Sequence, residues 1–563
     1  MCGILGVNFK VNNSFDKALK IIEHRGKDNK ATLKIDNNTF GHTRLAIIDL
    51  DQEANQPMKF DDVIITFNGE IYNFKELIES ENLQCLTVSD TEVIIRLYQK
   101  YATNFLHLLN GMFSFCIYDK KSNRFFCARD RFGKKPFYYT YKNTKFIFSS
   151  EIKALLPLLD EKPKFNKNVL PQYLQFWTTL GNETFYKDVY KLEAGHFLLL
   201  EDKKLTLKRY YDLSKQKDSY KDKTYNQLLK EIETDLLKSI NYRLVGDEEV
   251  ASFLSGGLDS SLLSSIYSRL SNKKIHTFSI GYDEHTHYSE LKYAKIVSKY
   301  INSNHHEIKI NKNTFIKYLE EILTLLDEPI ADSAIIPTYI LSKEISKSGL
   351  KVALSGEGSD EIFLGYDKYF ERLKSQDNST IMINQAFSND ELDSVLNFNY
   401  KKTTYKDFQK KNLTTMQQFT YNDFNIWIAE VLMSKLDRMS MAHTIEIRAP
   451  FLDFKLIEKV FNVDEKTKIG DTNKSLLKNI ALKYLPYSIV HRQKKGFSSP
   501  FIEWLYEAYN DKILETILKV NTQTNFFNRD KLVYIFNMAK EGKMKQQLWS
   551  IYIFCRWYER EFL

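Results

Sequence analysis

Short apolar runs separated by turn-forming pairs make up most of the first 200 residues, and this pattern is typical of β-strands. Residues 90–100 instead show helical spacing after an Asp-Thr start. Two Asn-Gly pairs, at 68–69 and 110–111, are expected at strand boundaries. This half is therefore predicted to be α+β with strand-rich sheets. The strand-like runs are VIITF (63–67), FSFCIY (113–118), FFCA (125–128) and FIF (146–148).

A polar, lysine-rich stretch over residues 200–225 is predicted to link two halves of the chain. Beyond it, helical patterns alternate with the β-rich runs EVASFL, IHTFSIG and KVAL, which indicates an α/β doubly wound parallel sheet with helices on its faces. After about residue 391 the strand signals end, and a helical C-terminal part is expected. The two expected domains are residues 2–205 and 225–563.

Composition narrows the class of protein. The 563 residues carry 80 Lys+Arg and 72 Asp+Glu, and the net charge of +8 is small for this length, so a nucleic-acid partner is not expected. No apolar run approaches the roughly 18 residues of a membrane span, and no basic leader precedes an apolar core. Membrane insertion and secretion are therefore not expected. Five cysteines without a close pair fit the reducing cytoplasm.

Cys2 directly follows the initiator methionine, and removal of that methionine would leave a thiol beside a free α-amino group. The amine, with an ordinary pKa of about 7.7–8.0, can serve as the base that activates the thiol of the same residue. On its own, a cysteine at this position would be read as chance. Three motifs further along the chain favour a nucleophile.

These motifs are GHTRLAIID from residue 41, FNGEIYN from residue 67 and SDTE from residue 89. Arg44, expected at the head of an apolar strand, could clamp a carboxylate with its planar fork. The Asn68 amide and the Gly69 N–H could form an oxyanion hole, and Glu70 could receive an amine. Asp90 is expected at a helix start. Taken singly, the ordinary readings are a surface ion pair, a hairpin turn and a helix cap.

Two glycine-rich loops in the second half predict a nucleotide site. LSGGLDSS (254–261) joins a strand to a helix, so its glycines, hydroxyls and helix N-terminus could hold phosphate while Asp259 ligates Mg²⁺. It lacks the lysine of a Walker A loop. LSGEGSDE (354–361) adds Glu357 and Asp360, and both loops should open at the carboxyl edge of the sheet. Lys494, in RQKKGFS, is a candidate for stabilising a reacting phosphorus. Two ordinary turns are the alternative reading.

The motifs MCGILG, GHTRLAIID, FNGEIYN and SDTE together resemble the class II glutamine amidotransferase domain of the N-terminal nucleophile (Ntn) hydrolases, an α+β sandwich. The resemblance implies that residues 2–205 hydrolyse glutamine through a Cys2 thioester. Arg44 would then hold the substrate α-carboxylate, Glu70 and Asp90 its α-amino group, and Asn68 with Gly69 the oxyanion. The implied glutamine-binding set is Arg44, Leu45, Ile47, Ile48, Asn68, Gly69, Glu70 and Asp90.

The second set of motifs, SGGLDSS, TFSIG, SGEGSDE, RQKKGFS and KLDRMSMAHTIEIRAPFLD, looks like the synthetase domain of the glutamine-hydrolysing asparagine synthetases, which has an ATP-pyrophosphatase fold. The resemblance implies that Asp259 and Asp360 bind Mg²⁺ and that Glu357 and Lys494 act in an acyl-adenylate step. The implied ATP contacts are Leu254, Ser255, Gly256, Gly257, Asp259, Ser260, Ile280, Ser355 and Gly356.

The resemblance further implies a two-step chemistry with glutamine, aspartate and ATP as substrates. The aspartate side chain would attack the α-phosphorus of ATP to give β-aspartyl-AMP and pyrophosphate, and ammonia from the Cys2 site would then displace AMP. Because free ammonia at neutral pH is mostly ammonium, an internal passage between the sites is expected. A homodimer is a family expectation.

Three other functions stay open at this stage. Leu364 stands where many relatives have glycine, and residues 327–337 (DEPIADSAIIP) lean towards relatives that amidate other carboxylates, such as a uronic-acid sugar in polysaccharide synthesis. A tRNA-modifying enzyme could use the same pyrophosphatase loop, although the glutaminase half and the modest charge oppose it. A regulatory protein with inactive sites is disfavoured because every candidate position holds a competent residue.

Other signals have plainer readings. The histidines of DEHTH (283–287) and HH (305–306) are expected in a solvated loop or helix start and not in a metal site, because no ligand set completes them. The cysteines other than Cys2 are expected in apolar cores. The aromatic C-terminus is expected to be a helix packed on its domain.

Overall fold

The first half folds into two six-stranded antiparallel sheets in the computed structural model, which describes residues 2–217, 223–375, 381–382, 384–493 and 499–563. Lys494 lies outside these described residues. In chain order the elements of this half are β1 (Gly3–Val7), α1 (Ser14–Ile21), β2 (Asn29–Ile35), β3 (Asn38–Arg44), β4 (Met58–Phe60), β5 (Val63–Ile71), α2 (Phe74–Ser80), α3 (Asp90–Tyr101), β6 (Gly111–Asp119), β7 (Arg124–Arg129), β8 (Tyr138–Lys142), β9 (Lys145–Ser149), α4 (Ile152–Leu155), α5 (Leu170–Phe176), β10 (Tyr190–Lys191), β11 (His196–Glu201) and β12 (Lys204–Arg209).

The two sheets pack face to face with helices on their outer sides. Their strand orders are β10-β8-β9-β1-β3-β2 and β12-β11-β7-β6-β5-β4. Apolar side chains from both sheets, such as Phe40 and Phe125, fill the space between them. Helices α2 and α3 cover the outer face of the second sheet, and α1 and α4 pack against the first. The result is an α+β sandwich: the hydrophobic pattern predicts the α+β class with strand-rich sheets, and the resemblance implies the sandwich.

Three local expectations for this half are corrected by the structure. Asn68 and Gly69 lie inside β5, where they stay in register with Ser114 and Phe113 of β6, and do not end the strand. Arg44 is the last residue of β3 and does not begin a strand. Strand β12 lies in the stretch expected to be a linker. The sequence pattern does not show this strand, because it is an edge strand with exposed polar side chains.

The second half is a parallel sheet surrounded by helices. Its elements are α6 (Tyr225–Tyr242), β13 (Val250–Phe253), α7 (Leu258–Leu270), β14 (His276–Tyr282), α8 (Leu291–Tyr300), β15 (Asn304–Ile310), α9 (Lys312–Leu325), α10 (Ile335–Lys347), β16 (Val352–Leu354), α11 (Ser359–Phe363), α12 (Asp367–Ser375), α13 (Asn389–Val395), α14 (Thr415–Asn422), α15 (Met433–Met441), β17 (Glu446–Arg448), α16 (Phe454–Asn462), α17 (Glu465–Ile469), α18 (Ser475–Ala481), α19 (Tyr487–Val490), α20 (Phe501–Tyr509), α21 (Lys512–Thr524), α22 (Arg529–Lys540) and α23 (Lys545–Phe562). A π-helical stretch, Asp423–Leu432, joins α14 to α15.

The sheet has the order β15-β14-β13-β16-β17, and all its pairs are parallel. The chain starts at the central strand β13, builds outward to β15 and then reverses to β16 and β17. The loops after β13 and β16 therefore leave the sheet on either side of this switch point, where ligands bind in such folds. Within the described residues, no helix combines the length and apolar character needed to cross a membrane.

Two strands of this sheet are not predicted by the sequence pattern. His305 and His306 belong to β15, not to a loop or helix start, and the His306 ring stacks on Phe278 of β14 with centroids 4.4 Å apart. Strand β17 lies in the part expected to be mainly helical, and at three residues it is too short to show a period. The DEHTH stretch is a loop with a single 3₁₀ turn, as expected.

The remaining packing expectations are confirmed. Helix α23 buries Trp549, Trp557 and Cys555 in a large core that contains residues of both halves, and Trp557 packs against Phe185 with ring centroids 5.0 Å apart. Cys116 and Cys127 are buried between the two sheets, and Cys85 is partly buried.

A cluster of buried charges joins the two halves; we name it the interdomain cluster, and its members are Arg25, Glu151, Asp327, Asp437 and Arg438. Arg25 is completely buried and contacts Glu151 through Nη1 at 3.0 Å. It also grips Asp437 with both terminal nitrogens, at 2.8 and 3.1 Å. Arg438, on α15, contacts two carboxylates of the cluster. Its Nη1 lies 3.1 Å from Glu151 and 2.7 Å from Asp327.

Every carboxylate of the interdomain cluster faces a guanidinium, and Lys135, 3.5 Å from Asp437, adds a third positive charge beside the three carboxylates. Although burial raises the pKa of Asp437, Arg25 and Lys135 lower it more, and the net pKa lies below the ordinary value. The main-chain N–H of Ile152 also donates to Asp327 at 2.6 Å, which extends the contact between halves. Because each buried ion depends on its partners, loss of one member leaves the charges of the others poorly compensated.

Arg25→Met should destabilise the protein by about 3–5 kcal/mol, because it removes the one buried cation that pairs with both Glu151 and Asp437. We expect a clearly lower urea midpoint when unfolding is followed by circular dichroism.

Lys145→Met is the matched control, because Lys145 also loses a carboxylate partner, Asp160, but at an exposed site. Its midpoint should shift by no more than about 1 kcal/mol. Equal shifts in the two variants would contradict a dominant role for the interdomain cluster.

Candidate functional site

Cys2 lies just before β1 and is held by hydrogen bonds on both sides of its side chain. Its main-chain N–H donates to Asn68 Oδ1 at 3.1 Å, and its carbonyl accepts from Arg25 Nε at 3.1 Å. The thiol sulfur is 4.0 Å from the Leu45 carbonyl oxygen, and the Cys2 residue as a whole is 7% exposed. Burial raises the pKa of the thiol, so a nearby base is needed to form a thiolate.

The strand beside Cys2 offers donors suited to an oxyanion. Asn68 is completely buried, and its amide nitrogen Nδ2 has no hydrogen-bond partner among the described residues. Gly69 has φ +154°, and a Cβ there would lie 2.0 Å from the Met112 carbonyl oxygen. Only glycine allows the two strands to approach this closely, and this close approach fixes the backbone next to Asn68. A buried amide without a partner fits a group that awaits developing negative charge.

Two buried carboxyl groups, Glu70 and Asp90, lie in the same region. Burial, with a smaller contribution from the charge of Glu446, raises the pKa of Asp90 to about 7 and that of Glu70 well above its ordinary value. Asp90 Oδ2 accepts the Ile71 N–H at 2.8 Å. Arg448, from the second half, comes within 3.7 Å of Glu70, whose other oxygen has no hydrogen-bond partner among the described residues. Crowded carboxyls of this kind favour a bound cation.

Arg44 makes its hydrogen bonds to the loop that follows its strand. Its guanidinium donates to the carbonyls of Asp49 and Asp51, the latter at 2.9 Å, and to Asn55 Oδ1 at 2.8 Å. The fork thus fastens the loop over residues 48–55. In this arrangement Arg44 shapes the wall of the site through that loop.

The other glutamine-site candidates line the same loop. Leu45 and Ile47 are buried and Ile48 is partly buried. The Leu45 carbonyl points to the Cys2 sulfur, and the Ile47 carbonyl accepts the N–H of Asp247, from the second half, at 2.9 Å. The structure therefore brings these first-half candidates together beside Cys2, and the second half contacts the loop that carries Ile47.

The loop after β13 is built to receive an anion. Gly256 has φ +77°, and a Cβ there would lie 2.5 Å from the Ala294 nitrogen. Ser255 Oγ accepts the Gly257 N–H at 3.2 Å and hydrogen-bonds with Ser260 Oγ at 2.9 Å. The turn therefore leads the chain tightly into α7, and the free N–H groups of that helix start face the loop.

The loop after β16 meets the first one, as expected for neighbouring strands. Ser359 Oγ donates to Asp259 Oδ1 at 2.8 Å. A Cβ on Gly356 would lie 3.3 Å from both the Asp259 Cβ and the Ser260 nitrogen, so this position needs a small residue. The two glycine-rich loops therefore form one surface, with Asp259 at their contact.

Leu254, Ile280 and Ser355 form the floor beneath these loops. Leu254 and Ile280 are buried, and the Leu254 N–H donates to the Phe278 carbonyl at 2.9 Å. The Ser355 N–H donates to the Arg448 carbonyl at 2.9 Å. These three residues support the loops from within the sheet.

Arg492 ties the segment before Lys494 to the first loop. Its Nη1 donates to the Gly256 carbonyl at 2.7 Å, and its guanidinium stacks over Tyr293 at 4.0 Å from the ring centroid. Lys494 itself is outside the described residues.

Two buried lysines were missed by the sequence analysis. Lys435, on α15, lies 2.9 Å from Asp332 and 3.4 Å from Glu357. Lys474, just before α18, lies 2.6 Å from Asp259 and 2.5 Å from Asp360. Lys435 falls within a stretch that carried the resemblance, but nothing distinguishes it there from other lysines. Lys474 has no motif at all, because a left-handed turn at φ +56° directs it to the site.

Helix α15 spans the distance between the two candidate sites. Lys435 on this helix contacts Glu357, and Asp437, two residues on, contacts Arg25, which in turn holds Cys2. Beside it lies a cavity of about 10 Å³, large enough for about one water molecule. Its lining residues are Met112, Lys134, Lys135, Met433, Leu436, Asp437, Ile447 and Ala449.

Comparisons with known proteins divide the chain in the same two parts. The asparagine synthase family model matches residues 231–559, and the glutamine amidotransferase domain model matches residues 1–211. Among curated proteins, asparagine synthetase [glutamine-hydrolyzing] 1 of Bacillus subtilis is 30% identical, covering 99% of this chain and 96% of its own. Asparagine synthetase [glutamine-hydrolyzing] 3 of the same organism is 29% identical, covering 92% of each.

Solved structures are more distant. Glutamine phosphoribosylpyrophosphate amidotransferase from B. subtilis is 14% identical and covers 55% of this chain and 81% of its own, with a TM-score of 0.29. That score is too low to bear on the fold, which rests on the strand pairing described above.

Asp90→Asn should stabilise the protein near pH 8, because it removes a carboxyl whose pKa burial raises to about 7. The folded protein keeps a proton that the unfolded chain releases above about pH 4, so stability is lost as the pH rises from about 4 to 7. We expect a gain of up to about 4 kcal/mol at pH 8 that shrinks towards pH 5, measured by urea unfolding at several pH values.

Glu92→Gln, two residues further along α3, is a control of opposite sign. Burial raises the pKa of Glu92, but hydrogen bonds from Leu86 and Thr87 lower it more, so ionised Glu92 stabilises the fold. Its variant should lower the urea midpoint at pH 8. A loss of stability in Asp90→Asn at that pH would refute the cost assigned to its buried charge.

Proposed function

The chain belongs to the asparagine synthase family, and we propose that it makes asparagine from aspartate and ATP with glutamine as the nitrogen donor. Both family models and the near full-length relatives support a glutamine-dependent carbon–nitrogen ligase. The observation that carries the proposal is that one helix, α15, contacts both a cysteine site and a pair of phosphate-type loops, through Asp437 to Arg25 beside Cys2 and through Lys435 to Glu357. Glutamate, AMP and pyrophosphate are the other products.

The first half, an Ntn-type sandwich in this proposal, releases ammonia from glutamine. After removal of Met1 the amino group of Cys2 would keep the hydrogen bond to Asn68 and take the thiol proton. The thiolate attacks the side-chain amide carbon, and Asn68 Nδ2 with the Gly69 N–H stabilises the oxyanion. As this tetrahedral intermediate collapses, the C–N bond breaks, the Cys2 amino group returns its proton to the leaving ammonia, and the thioester that remains is hydrolysed by water to glutamate. Glu70 and Asp90 form a site that favours the cationic α-amino group of glutamine. Arg44 would receive the α-carboxylate.

The second half, an ATP-pyrophosphatase fold in this proposal, activates the acceptor. Ser255, Gly257 and Ser260, with the start of α7, offer donors to the phosphates of ATP, above a floor of Leu254 and Ile280. The carboxylate of aspartate attacks the α-phosphorus, pyrophosphate leaves, and a mixed anhydride forms. Ammonia then attacks the activated carbonyl and AMP departs. Glu357, oriented by Lys435, and Lys494 are the groups we assign to this half-reaction.

Mg²⁺ is the metal that the donor set fits. Asp259 and Asp360 offer two carboxylates beside the phosphate loops, and Mg²⁺ binds through one or two carboxylates together with substrate phosphates and water. Within the described residues no group of three or more His, Cys, Asp or Glu side chains gathers as a closed metal cage would. When bound, the ion would neutralise charge on the departing pyrophosphate.

Ammonia must travel between the sites without contact with bulk water, because at neutral pH water would convert it to ammonium. The cavity along α15 has the right size and location for one step of such a passage, between the wall of the glutamine site at Met112 and the helix that carries Lys435. We infer that the passage follows this helix.

The cellular setting follows from the same proposal. We propose a cytoplasmic enzyme that acts on small molecules, without nucleic acid, and that forms a homodimer as the family resemblance implies. Light scattering of the purified protein checks the dimer, which would give twice the chain mass of 66.3 kDa.

The function is tested by incubating purified enzyme with ATP, Mg²⁺, glutamine and one acceptor at a time. Aspartate should give equal amounts of asparagine, AMP and pyrophosphate. A uronic-acid sugar and bulk tRNA serve as competing acceptors. AMP formation with either of these, and none with aspartate, would overturn the proposed acceptor while leaving the fold assignment intact.

Cys2→Ala should abolish glutamine-dependent asparagine formation, by about a thousandfold or more, because the nucleophile is lost. Synthesis from added ammonium should persist, since the second half does not use the thiol. Product analysis with each nitrogen source measures both.

Cys85→Ala, at a partly buried cysteine away from both sites, should leave both activities unchanged. Equal loss of both activities in Cys2→Ala would show that the two sites are not separable.

A further inference from the structure

Lys474 occupies the point between the two candidate metal ligands. Its ammonium nitrogen lies 2.6 Å from Asp259 Oδ1, 2.5 Å from Asp360 Oδ1 and 3.2 Å from Ser359 Oγ. The lysine side chain is 4% exposed, whereas each carboxylate is 22% exposed. The cation is therefore inside the pair, and the carboxylates have their open sides towards the loops.

The surrounding backbone is shaped around this arrangement. A Cβ at Gly365 would lie 2.0 Å from Asp360 Oδ1 and 2.2 Å from Lys474 Cε. Any side chain at that position would displace the lysine–aspartate contact. Lys474 itself precedes α18 in a left-handed conformation, φ +56°, which directs its side chain inward. The contact is thus built into two separate segments of the chain.

The lysine and a metal ion would need the same oxygens. Mg²⁺ binds carboxylate oxygens at about 2.0–2.1 Å, so an ion held by Asp259 Oδ1 and Asp360 Oδ1 would lie within about 5 Å of the present ammonium position. Two cations so close repel each other strongly at a partly buried site. The ammonium brings one positive charge to this position, whereas a divalent ion would bring two. The two occupants therefore exclude each other.

We propose, building on the function proposed above, that Lys474 is a resident counter-ion that fills the metal position between Asp259 and Asp360 until metal and ATP arrive together. Its ammonium then withdraws and the carboxylates pass to the metal. The metal alone does not displace the lysine. Phosphate oxygens beside the loops offer the displaced ammonium a new partner, so nucleotide makes the exchange favourable.

This assignment explains how two adjacent carboxylates stay ordered at a site that is open between turnovers. Without a cation they would repel each other, and their loops would lose the contact at Ser359. It also gives an order of binding: the metal enters as its ATP complex and does not reach the site first. A purely structural lysine would instead leave the metal affinity unchanged when replaced.

The test measures Mn²⁺ binding without nucleotide, because Mn²⁺ replaces Mg²⁺ at oxygen sites and free Mn²⁺ gives a paramagnetic resonance signal. Wild type should retain almost no Mn²⁺. Lys474→Met should gain one site per chain, with affinity at least tenfold higher. Lys474→Arg, which keeps the charge, should behave as wild type. Lys478→Met, which removes a lysine one turn further along α18, is the matched control and should also gain nothing.

A double variant, Lys474→Met with Asp360→Asn, should lose the new Mn²⁺ site again. Equal Mn²⁺ binding by wild type and Lys474→Met, or a site that survives in the double variant, would overturn the proposal. These results do not depend on asparagine formation, so failure here leaves the proposed function to its own assay.

A wild-type measurement covers the case in which Lys474→Met does not fold, as judged by circular dichroism. Mn²⁺ binding is measured with and without a non-hydrolysable ATP analogue, after correction for Mn²⁺ bound by the free analogue. The proposal expects at least a tenfold gain with the analogue. Wild-type protein that binds Mn²⁺ equally well without it contradicts the resident counter-ion.

Discussion

The buried contact between Arg25 and Asp437 is the constraint on which the two-site arrangement depends. Arg25 holds the main chain of Cys2 with Nε and grips α15 through its two terminal nitrogens. Since the same helix positions Lys435 against Glu357, a displacement at either site is transmitted through rigid covalent structure and not through a flexible linker. Charge pairs without access to water tolerate little rearrangement, and this fixes the distance that ammonia must cross.

The glutamine site shows the cost of function most clearly. Burial raises the pKa values of Glu70 and Asp90 because water no longer stabilises their charges. Arg448, with its guanidinium 3.7 Å from Glu70, compensates the buried negative charge only in part. In the function proposed above, the ammonium group of glutamine would supply the missing positive charge, so the energy that these buried carboxyls cost the empty protein would become affinity for the substrate. Stability is given up locally, and the interdomain cluster helps the fold to tolerate the loss.

Sequence predicted the fold classes, the two halves and the meeting of the two glycine-rich loops, because these follow from periodicity and from where parallel strands end. It failed where tertiary pairing overrides local pattern. Asn68 and Gly69 read as a turn but continue a strand, and β17 is too short to leave a period. Lys474 could not be found, since nothing in its neighbours along the chain shows that a turn directs it to Asp259 and Asp360.

Strand β17 has a consequence for modularity. It forms the edge of the parallel sheet, yet its Arg448 reaches the carboxylates of the other half. Swapping one half for that of a distant relative would therefore bring a foreign side chain into the glutamine pocket even if every loop were preserved. A functional exchange of one half would therefore have to include the residues on both sides of the contact between Arg448 and Glu70.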